Sequence, residues 1–160
     1  MDIINATELD IQVIHELAEK TWWPTYKPIL SEEQIRFMIK NMYSENALQE
    51  QMKADVKFIL AKRDEQVVAF AGYSIEEQQL LKIHKIYVLP SEQGKGTGKN
   101  LLAYLSDLAK ELNVSQIELN VNRANPALGF YQKMGFQIIE KVDIPYHQFV
   151  LNDYIMRKAI

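Results

Sequence analysis

The clearest chemical signal in the sequence is a glycine-rich stretch, Gln93-Gly94-Lys95-Gly96-Thr97-Gly98-Lys99. Its three glycines stand at alternate positions and remove side chains from a turn, so that backbone N–H groups can converge on a ligand. The stretch follows an apolar segment that ends at Pro90, and it leads into a segment with helical periodicity. Because a helix N-terminus favours anions, this arrangement predicts a loop that binds phosphate groups.

Two common nucleotide-binding motifs do not fit this loop. Three residues separate Gly94 from Gly98, one fewer than a P-loop needs, and Asn100 stands where that motif requires Ser or Thr for magnesium. The dinucleotide-binding fingerprint also fails, because Lys99 occupies the position of its third glycine. The structural alternative is a flexible turn with solubilising lysines and no ligand.

The composition argues against several other chemistries. The chain has 160 residues, no cysteine and three histidines, which excludes disulfides, thiolate nucleophiles and cysteine-ligated zinc. No pair among His15, His84 and His147 has metal-ligand spacing, so we predict no metal site. A net charge of −3 and a pI near 5.7 predict a cationic small molecule, and not nucleic acid, as the partner.

The sequence carries no evident targeting or membrane signal. Its N-terminal residues 1–8 lack the basic region and apolar run of an export signal. No later segment has the uninterrupted apolar length that crosses a bilayer. We therefore expect a cytoplasmic protein without membrane contact, folded as one domain over residues 1–160.

Periodic apolar residues predict helices in the first third of the chain. Thr7 can cap a helix that runs to about Thr21, and Ser31 begins the capping box of a second helix. A further short helix is expected over residues 44–52. Between the first two helices, the two prolines of Trp22–Pro28 predict a non-helical loop that carries three large aromatic side chains.

Strands are predicted on both sides of the glycine loop. The first two form an antiparallel hairpin, and the helix after the loop crosses over between two strands that we expect to be parallel. Asn125 caps a short helix that ends before Gly135. The element order predicts an α+β domain with a mixed sheet. The predicted strands are 57–62, 67–74, 80–89, 116–122, 136–142 and 148–156.

The glycine loop resembles the acetyl-CoA signature of the GCN5-related N-acetyltransferase (GNAT) superfamily. That signature is Gln or Arg, two residues, Gly, one residue, and Gly or Ala, and Gln93–Gly98 fits it fully. Asn125–Phe136 is similar to the family's Asn, Phe-Tyr and Gly-Phe segment, and Lys85–Pro90 resembles the strand before the loop. The motifs stand at the expected separation, and the resemblance covers roughly residues 80–140.

The resemblance implies a fold and a co-substrate. The fold is a three-layer α/β/α domain whose mostly antiparallel sheet splays at the two parallel strands that hold CoA. The co-substrate is acetyl-CoA, with its diphosphate on the loop and its pantetheine arm against Ile86 and Val88. The implied cofactor-binding residues are Ile86, Val88, Gln93, Gly94, Lys95, Gly96, Thr97, Gly98, Lys99, Asn125, Tyr131 and Lys133.

Acyl transfer to an amine needs a neutral nucleophile, a stabilised oxyanion and a proton for the departing thiolate. The resemblance places Tyr131 at the family's acid position and the backbone N–H of Val88 at the thioester carbonyl. His84 shares strand parity with Ile86 and Val88, so we expect its imidazole on the cofactor side as a base. Family members often have a glutamate on this strand, so a histidine here departs from the family pattern. The structural alternatives are a packed tyrosine and a satisfied histidine.

The aromatic residues between the first two helices are candidates for the acceptor entrance, which this loop commonly borders in the family. Trp22 and Tyr26, together with His84, are the expected acceptor contacts, because aromatic faces attract a protonated amine. Core packing is the alternative for Trp22 and Trp23. The segment Phe149–Met156 is similar to the C-terminal ends of polyamine-acetylating members of the PaiA type.

The resulting prediction is an N-acetyltransferase that moves an acetyl group from acetyl-CoA to a primary amine by direct attack in a ternary complex. The expected acceptor is a small molecule such as a polyamine. Two alternatives stay open: a non-catalytic acyl-CoA sensor or interaction module, and acetylation of a protein or peptide amine. The resemblance also implies a possible homodimer.

Overall fold

A seven-stranded sheet organises the chain, which the computed structural model describes over residues 1–77 and 79–160. Across the sheet the strands lie in the order β1-β2-β3-β4-β5-β7-β6. β4 and β5 are parallel, and the other neighbouring pairs are antiparallel. The strands are β1 Asp2–Asn5, β2 Lys57–Arg63, β3 Gln66–Glu76, β4 Leu80–Val88, β5 Gln116–Asn122, β6 Gln137–Tyr146 and β7 Phe149–Ala159.

Helices cover both faces of this sheet. One core joins α1, α2 and α3 to the first face, and a second core joins α4 and α5 to the other. The expected α+β fold, with three layers and a mostly antiparallel mixed sheet, is confirmed. In the described part of the chain, the helices fall short of the length and apolarity needed to cross a membrane. The helices are α1 Ile11–Tyr26, α2 Glu32–Tyr43, α3 Glu45–Lys53, α4 Thr97–Glu111 and α5 Ala127–Lys133.

The two parallel strands separate halfway along their length. Their pairing begins with Leu80 opposite Gln116 and ends with Ile83 opposite Leu119, although both strands continue beyond that point. The splay that the family resemblance implies is therefore confirmed, and it opens a gap in the middle of the sheet.

The prediction of a loop at Trp22–Pro28 is wrong for most of its length, because α1 continues to Tyr26 with Pro24 inside it. Pro24 lies in the last turn, where the bond that it cannot donate, to the carbonyl of Lys20, is among the last of the helix. Trp22 and Tyr26 stack on the buried side of this turn with ring centroids 4.3 Å apart. Burial of these two rings favours the helical path over the local preference of proline.

Several other element boundaries also differ from the sequence prediction. The short edge strand β1 was not predicted, because four residues are too few for a readable alternation. Thr7 caps a 3₁₀ turn at Glu8–Asp10 that leads into α1, with Asp10 completing a capping box. The closing strands β6 and β7 extend further than predicted and meet in a tight turn at His147, whose φ is +54°.

Candidate active site

A cavity of about 810 Å³ opens where β4 and β5 separate. The end of α1, the glycine loop, the start of α4 and the helix α5 complete its walls. The structure thus brings most of the predicted site residues together around one space. Those that line it are Tyr26, His84, Ile86, Val88, Gln93, Gly94, Gly96, Thr97, Gly98, Lys99, Asn125 and Tyr131.

The second half of β4 directs peptide groups into this gap. The N–H of Leu89 donates to the carbonyl oxygen of Val68 on β3 at 2.9 Å. Because peptide groups alternate in direction along an antiparallel strand, those of Ile86 and Val88 point away from β3. The parallel ladder to β5 has already ended at Ile83, so these peptide groups face the cavity.

The glycine loop has the conformation that its composition predicts. Gly94 and Gly96 adopt φ values of +84° and +81°, which L-residues rarely adopt. The N–H of Asn100 donates to the carbonyl oxygen of Gly96, so the N–H groups of Gly98 and Lys99 have no acceptor one turn back in α4. These donors, at the positive end of a 15-residue helix, form an anion-binding surface.

Two lysines expected near the cofactor lie outside the cavity lining. The N–H of Lys95 donates to the carbonyl oxygen of Glu92 at 3.2 Å, and its Nζ lies 3.7 Å from Glu92 Oε1. Lys133 is exposed on α5. The loop turns back on itself at Lys95, so the N–H of Lys95 bonds within the loop and does not point to a ligand.

The side chain of Glu92 holds the glycine loop in place, a role that was not predicted from the sequence. Its side chain is buried and accepts hydrogen bonds from Arg63 Nε at 2.9 Å and from Thr97 Oγ1 at 3.0 Å. Burial alone would raise the pKa of this carboxyl, but the bonds from Arg63 and Thr97 outweigh it and lower the pKa. The carboxylate therefore stays ionised and ties the end of β2 to the first turn of α4.

Tyr131 presents a protonated phenol to the cavity. It lies on α5, is 7% exposed, and burial raises the pKa of its hydroxyl well above the usual value. Among the described residues, no hydrogen-bond partner engages this hydroxyl. The Oδ1 of Asn125 accepts the Ala127 N–H at 2.9 Å and so caps α5 as predicted, while its Nδ2 lies 3.4 Å from the hydroxyl of Tyr26.

The predicted orientation of His84 is wrong, because β4 contains a β-bulge at this residue. Gly72 lies opposite Lys85 and Tyr73 lies opposite Ile83, so His84 has no partner on β3. The extra residue reverses the alternation of side chains along the strand. The sequence pattern gives no sign of such a bulge. The imidazole lies 2.7 Å from Ser74 Oγ, and Ser74 faces away from the α4–α5 core that contains its neighbour Tyr73. Ile86 and Val88, in contrast, pack towards that core. His84 still lines the cavity, because the strands separate beside it.

Lys85 is a second residue of the site that the sequence reasoning did not single out as ionisable. Its Nζ lies 5.0 Å from the centroid of the Tyr43 ring, and its side chain lines the cavity. Burial lowers the pKa of this amine to about 8. The sequence did offer one sign of this role, because Lys85 is a basic residue directly after His84, which was predicted to be in the site.

Trp22 does not line the cavity, in contrast to its expected role as an acceptor contact. It is 6% exposed and packs behind Tyr26 and Tyr87, with centroid distances of 4.3 and 5.9 Å. Its indole N–H has no hydrogen-bond partner among the described residues. The helical path of α1 turns this ring into the core, which leaves Tyr26 as the aromatic residue of α1 that faces the cavity.

Known proteins share both the sequence pattern and the fold. A family model, the Acetyltransferase (GNAT) domain, matches residues 26–144. The spermidine N(1)-acetyltransferase of Thermoplasma acidophilum is 29% identical over 135 residues, covering 81% of this chain and 83% of that protein. The streptothricin acetyltransferase of Streptomyces lavendulae is 35% identical over 81 residues, covering 49% of this chain and 43% of that protein.

Solved structures agree with this match. The PaiA N-acetyltransferase from Thermoplasma acidophilum, determined in complex with coenzyme A, superposes with a TM-score of 0.84 at 28% identity and covers 100% of both chains. The Escherichia coli ribosomal-protein-S18-alanine N-acetyltransferase has the same fold, with a TM-score of 0.76 at 18% identity, covering 99% of this chain and 93% of that chain. With the splayed strands and glycine loop described above, these matches establish that the chain belongs to the GNAT acetyltransferase family.

Proposed function

We propose that this acetyl-CoA-dependent N-acetyltransferase acetylates a primary amine of a small polycation such as a polyamine, by direct attack in a ternary complex. The observation that carries the choice of acceptor is Asp153, a half-buried residue whose charge acts on the Tyr26 hydroxyl of the cavity wall and whose carboxyl group has no bonded cation among the described residues. The similarity to a spermidine N(1)-acetyltransferase over most of both chains supports the same class of acceptor.

The residues around the gap fit acetyl-CoA, which supplies an activated acetyl thioester when bound. The donors of Gly98 and Lys99 suit its diphosphate, and the free peptide groups of Ile86 and Val88 suit its amide-containing arm. A side chain at Gly98 would crowd the space in which acetyl-CoA is expected to lie. A Cβ at Gly98 would lie only 3.3 Å from the ring of Phe130.

Two groups are proposed to act on the reacting thioester. The Val88 N–H donates a hydrogen bond to the carbonyl oxygen and stabilises the negative charge that develops there. Tyr131 donates its proton to the departing sulfur, because its raised pKa keeps the phenol protonated across the neutral range. Both groups border the same cavity, which supports their acting on one bound thioester.

We propose His84 as the base that removes a proton from the acceptor amine. Burial and the charges of Lys85 and Lys82 lower the pKa of its imidazole, and Glu76 opposes this shift. The imidazole is therefore neutral at pH 7, as a base must be. The charge of Lys85 in the same cavity also disfavours a proton on the bound amine.

His84→Gln tests this role through the pH dependence of kcat at saturating amine. The wild-type rate should fall as the pH drops through the lowered pKa of His84, because the protonated imidazole cannot accept a proton. The variant should lose this acidic limb, and kcat at pH 8 should fall by about 100-fold. An acidic limb that stays unchanged in His84→Gln would remove the residue from proton transfer.

Asp153 lies on β7, outside the cavity lining but near Tyr26, which lines the cavity. It shares a strand face with Leu151, which packs against the α1–α2 core. Burial, and in addition the charge of Asp153, raise the pKa of the Tyr26 hydroxyl. Burial raises the pKa of Asp153 itself. The two cations that act on it bond to other carboxylates, Arg123 to Asp143 at 2.7 Å and Lys82 to Glu118 at 2.8 Å, and Arg123 reaches only the backbone carbonyl of Asp153, at 3.3 Å. The carboxylate is thus available to a second, non-reacting ammonium group of the acceptor.

Thiol release from acetyl-CoA, measured with polyamines, monoamines, amino acids and peptide N-termini, tests the proposed function. We expect turnover with polyamines, at a higher kcat/KM than with monoamines of equal length. Asp153→Asn should lower kcat/KM for polyamines about tenfold, as expected for a lost charged contact, and should leave monoamines unaffected. Glu140→Gln, which removes an exposed carboxylate on β6, is the matched control.

Three results would contradict the proposal. Turnover confined to peptides would assign a macromolecular acceptor. Tight CoA binding without turnover of any amine would indicate a binding module. Equal losses for polyamines and monoamines in Asp153→Asn would show that Asp153 does not recognise a second ammonium group.

A further inference from the structure

A chain of hydrogen bonds links His84 to solvent through two residues of β3 that have no role in the mechanism above. The Nε2 atom of His84 lies 2.7 Å from Ser74 Oγ, and Ser74 Oγ lies 2.8 Å from Glu76 Oε1. Ser74 and Glu76 are two residues apart on one strand and therefore share a face. The bulge at His84 brings the imidazole to this face.

The direction of these bonds follows from the donors available. An ionised carboxylate can only accept, so the single hydroxyl proton of Ser74 is donated to Glu76. The oxygen of Ser74 must then accept a proton from its other neighbour, which is His84 Nε2–H. The neutral imidazole consequently carries its proton on Nε2, and Nδ1 keeps the lone pair that a base requires.

The surrounding charges act in opposite directions on this imidazole. Lys82 and Lys85 on β4 disfavour the imidazolium ion, and Glu76 on β3, whose carboxylate oxygen lies 3.9 Å from Nε2, favours it. The side chain of Glu76 is 49% exposed, compared with 32% for His84. Among the described residues, Glu76 is the one whose carboxylate oxygen lies within 4.0 Å of a ring nitrogen of His84.

We propose that Ser74 and Glu76 are positioning residues that hold His84 as the Nε2–H tautomer, with Nδ1 directed to the acceptor amine. In this arrangement the amine loses a proton to Nδ1 as its nitrogen bonds to the acetyl carbon. The carbon–sulfur bond breaks, and the sulfur leaves with the proton from the acid. After product release the imidazolium, which Glu76 stabilises through Ser74, gives the Nδ1 proton to water, and the phenolate left on Tyr131 takes a proton back from water, so that both residues return to their starting states. The catalytic part of this inference rests on the proposed function, whereas the tautomer does not.

Nitrogen-15 NMR of the imidazoles tests the tautomer without any acceptor. The chain has three histidines, and the His84 signals are those absent from His84→Gln. In the wild type above the pKa of His84, we expect a protonated Nε2 and an unprotonated Nδ1. Ser74→Ala should yield a mixture of both tautomers. An Nδ1–H form or an equal mixture in the wild type would overturn the proposal.

Charge removal tests the role of Glu76. Glu76→Gln should lower the pKa of His84 further, because the carboxylate that stabilises the imidazolium is lost, and the acidic limb of kcat should move to lower pH. Ser74→Ala should lower kcat by about tenfold, the loss of one hydrogen bond. Glu77→Gln, on the adjacent exposed carboxylate, should change neither the pKa nor kcat.

The two proposals fail in different ways. If the wild type acetylates no amine, the proposed function fails, and NMR still decides the tautomer and the pKa. If the wild type acetylates amines but Glu76→Gln matches Glu77→Gln in pKa and pH profile, the positioning role is wrong and the proposed function stands.

Discussion

Replacement of Tyr131 by Phe should lower kcat by about 100-fold, within the range that a general acid contributes. The substitution removes one hydroxyl and keeps the ring that packs against Phe130 and Phe136 at 5.5 and 6.0 Å between centroids. No hydrogen bond to a described residue is lost, so the fold and the affinity for acetyl-CoA should change little. Stopped-flow thiol release and calorimetric CoA titration measure the two quantities separately.

Tyr73→Phe is the matched control for this experiment. Tyr73 is also buried, at 6% exposure, but it lies on β3 outside the cavity lining. Its loss of a hydroxyl should leave kcat unchanged. Equal rates in Tyr131→Phe and Tyr73→Phe would show that the thiolate receives its proton from another source, such as water.

The second large effect is expected from Gly96→Ala, which should weaken CoA binding by about 5- to 30-fold. Gly96 precedes α4 with φ at +81°, where an L-residue costs about 1–2 kcal/mol. A Cβ would meet no protein atom within 4 Å, so strain in the backbone, and not a clash, is the cause. Relief of that strain moves the carbonyl and N–H groups that begin α4 and disperses the anion-binding donors.

Gly129→Ala separates this effect from a general response to alanine. Gly129 lies within α5, has no positive φ, and its added Cβ would also meet nothing within 4 Å. Because alanine favours helix, this variant should bind CoA as the wild type does and unfold at the same or a higher temperature. Equal dissociation constants for Gly96→Ala and Gly129→Ala, by calorimetry, would contradict the proposed diphosphate site.

Local signals in the sequence were sufficient for the glycine loop and for the cap of α5. Glycine permits the positive φ that Gly94 and Gly96 adopt, and Asn125 caps α5 through the short-range bond that its position predicts. The parallel crossover and the splay followed from element order and from the family resemblance. The loop and the cap depend on residues that are close in sequence, where residue type and spacing carry the information.

The features that the sequence did not reveal depend on contacts between distant segments. The bulge at His84 arises from the register between β3 and β4, and strand alternation gives no sign of an extra residue. The helical path through Pro24 depends on the packing of Trp22 and Tyr26 against Tyr87, which lies more than sixty residues further along the chain. The chemistry at Lys85 likewise comes from burial, which a sequence pattern does not measure.

The hydrogen bonds of Glu92 to Arg63 and Thr97 couple the stability of the N-terminal half of the chain to that of the glycine loop. Arg63 ends β2 in the N-terminal half, and Thr97 begins the helix that carries the phosphate donors. A ligand that orders the glycine loop therefore also favours the native position of the β2–β3 hairpin. By linkage, a ligand that binds this loop in the native protein and not in the unfolded chain raises the unfolding free energy of the whole fold, including the hairpin that it does not touch.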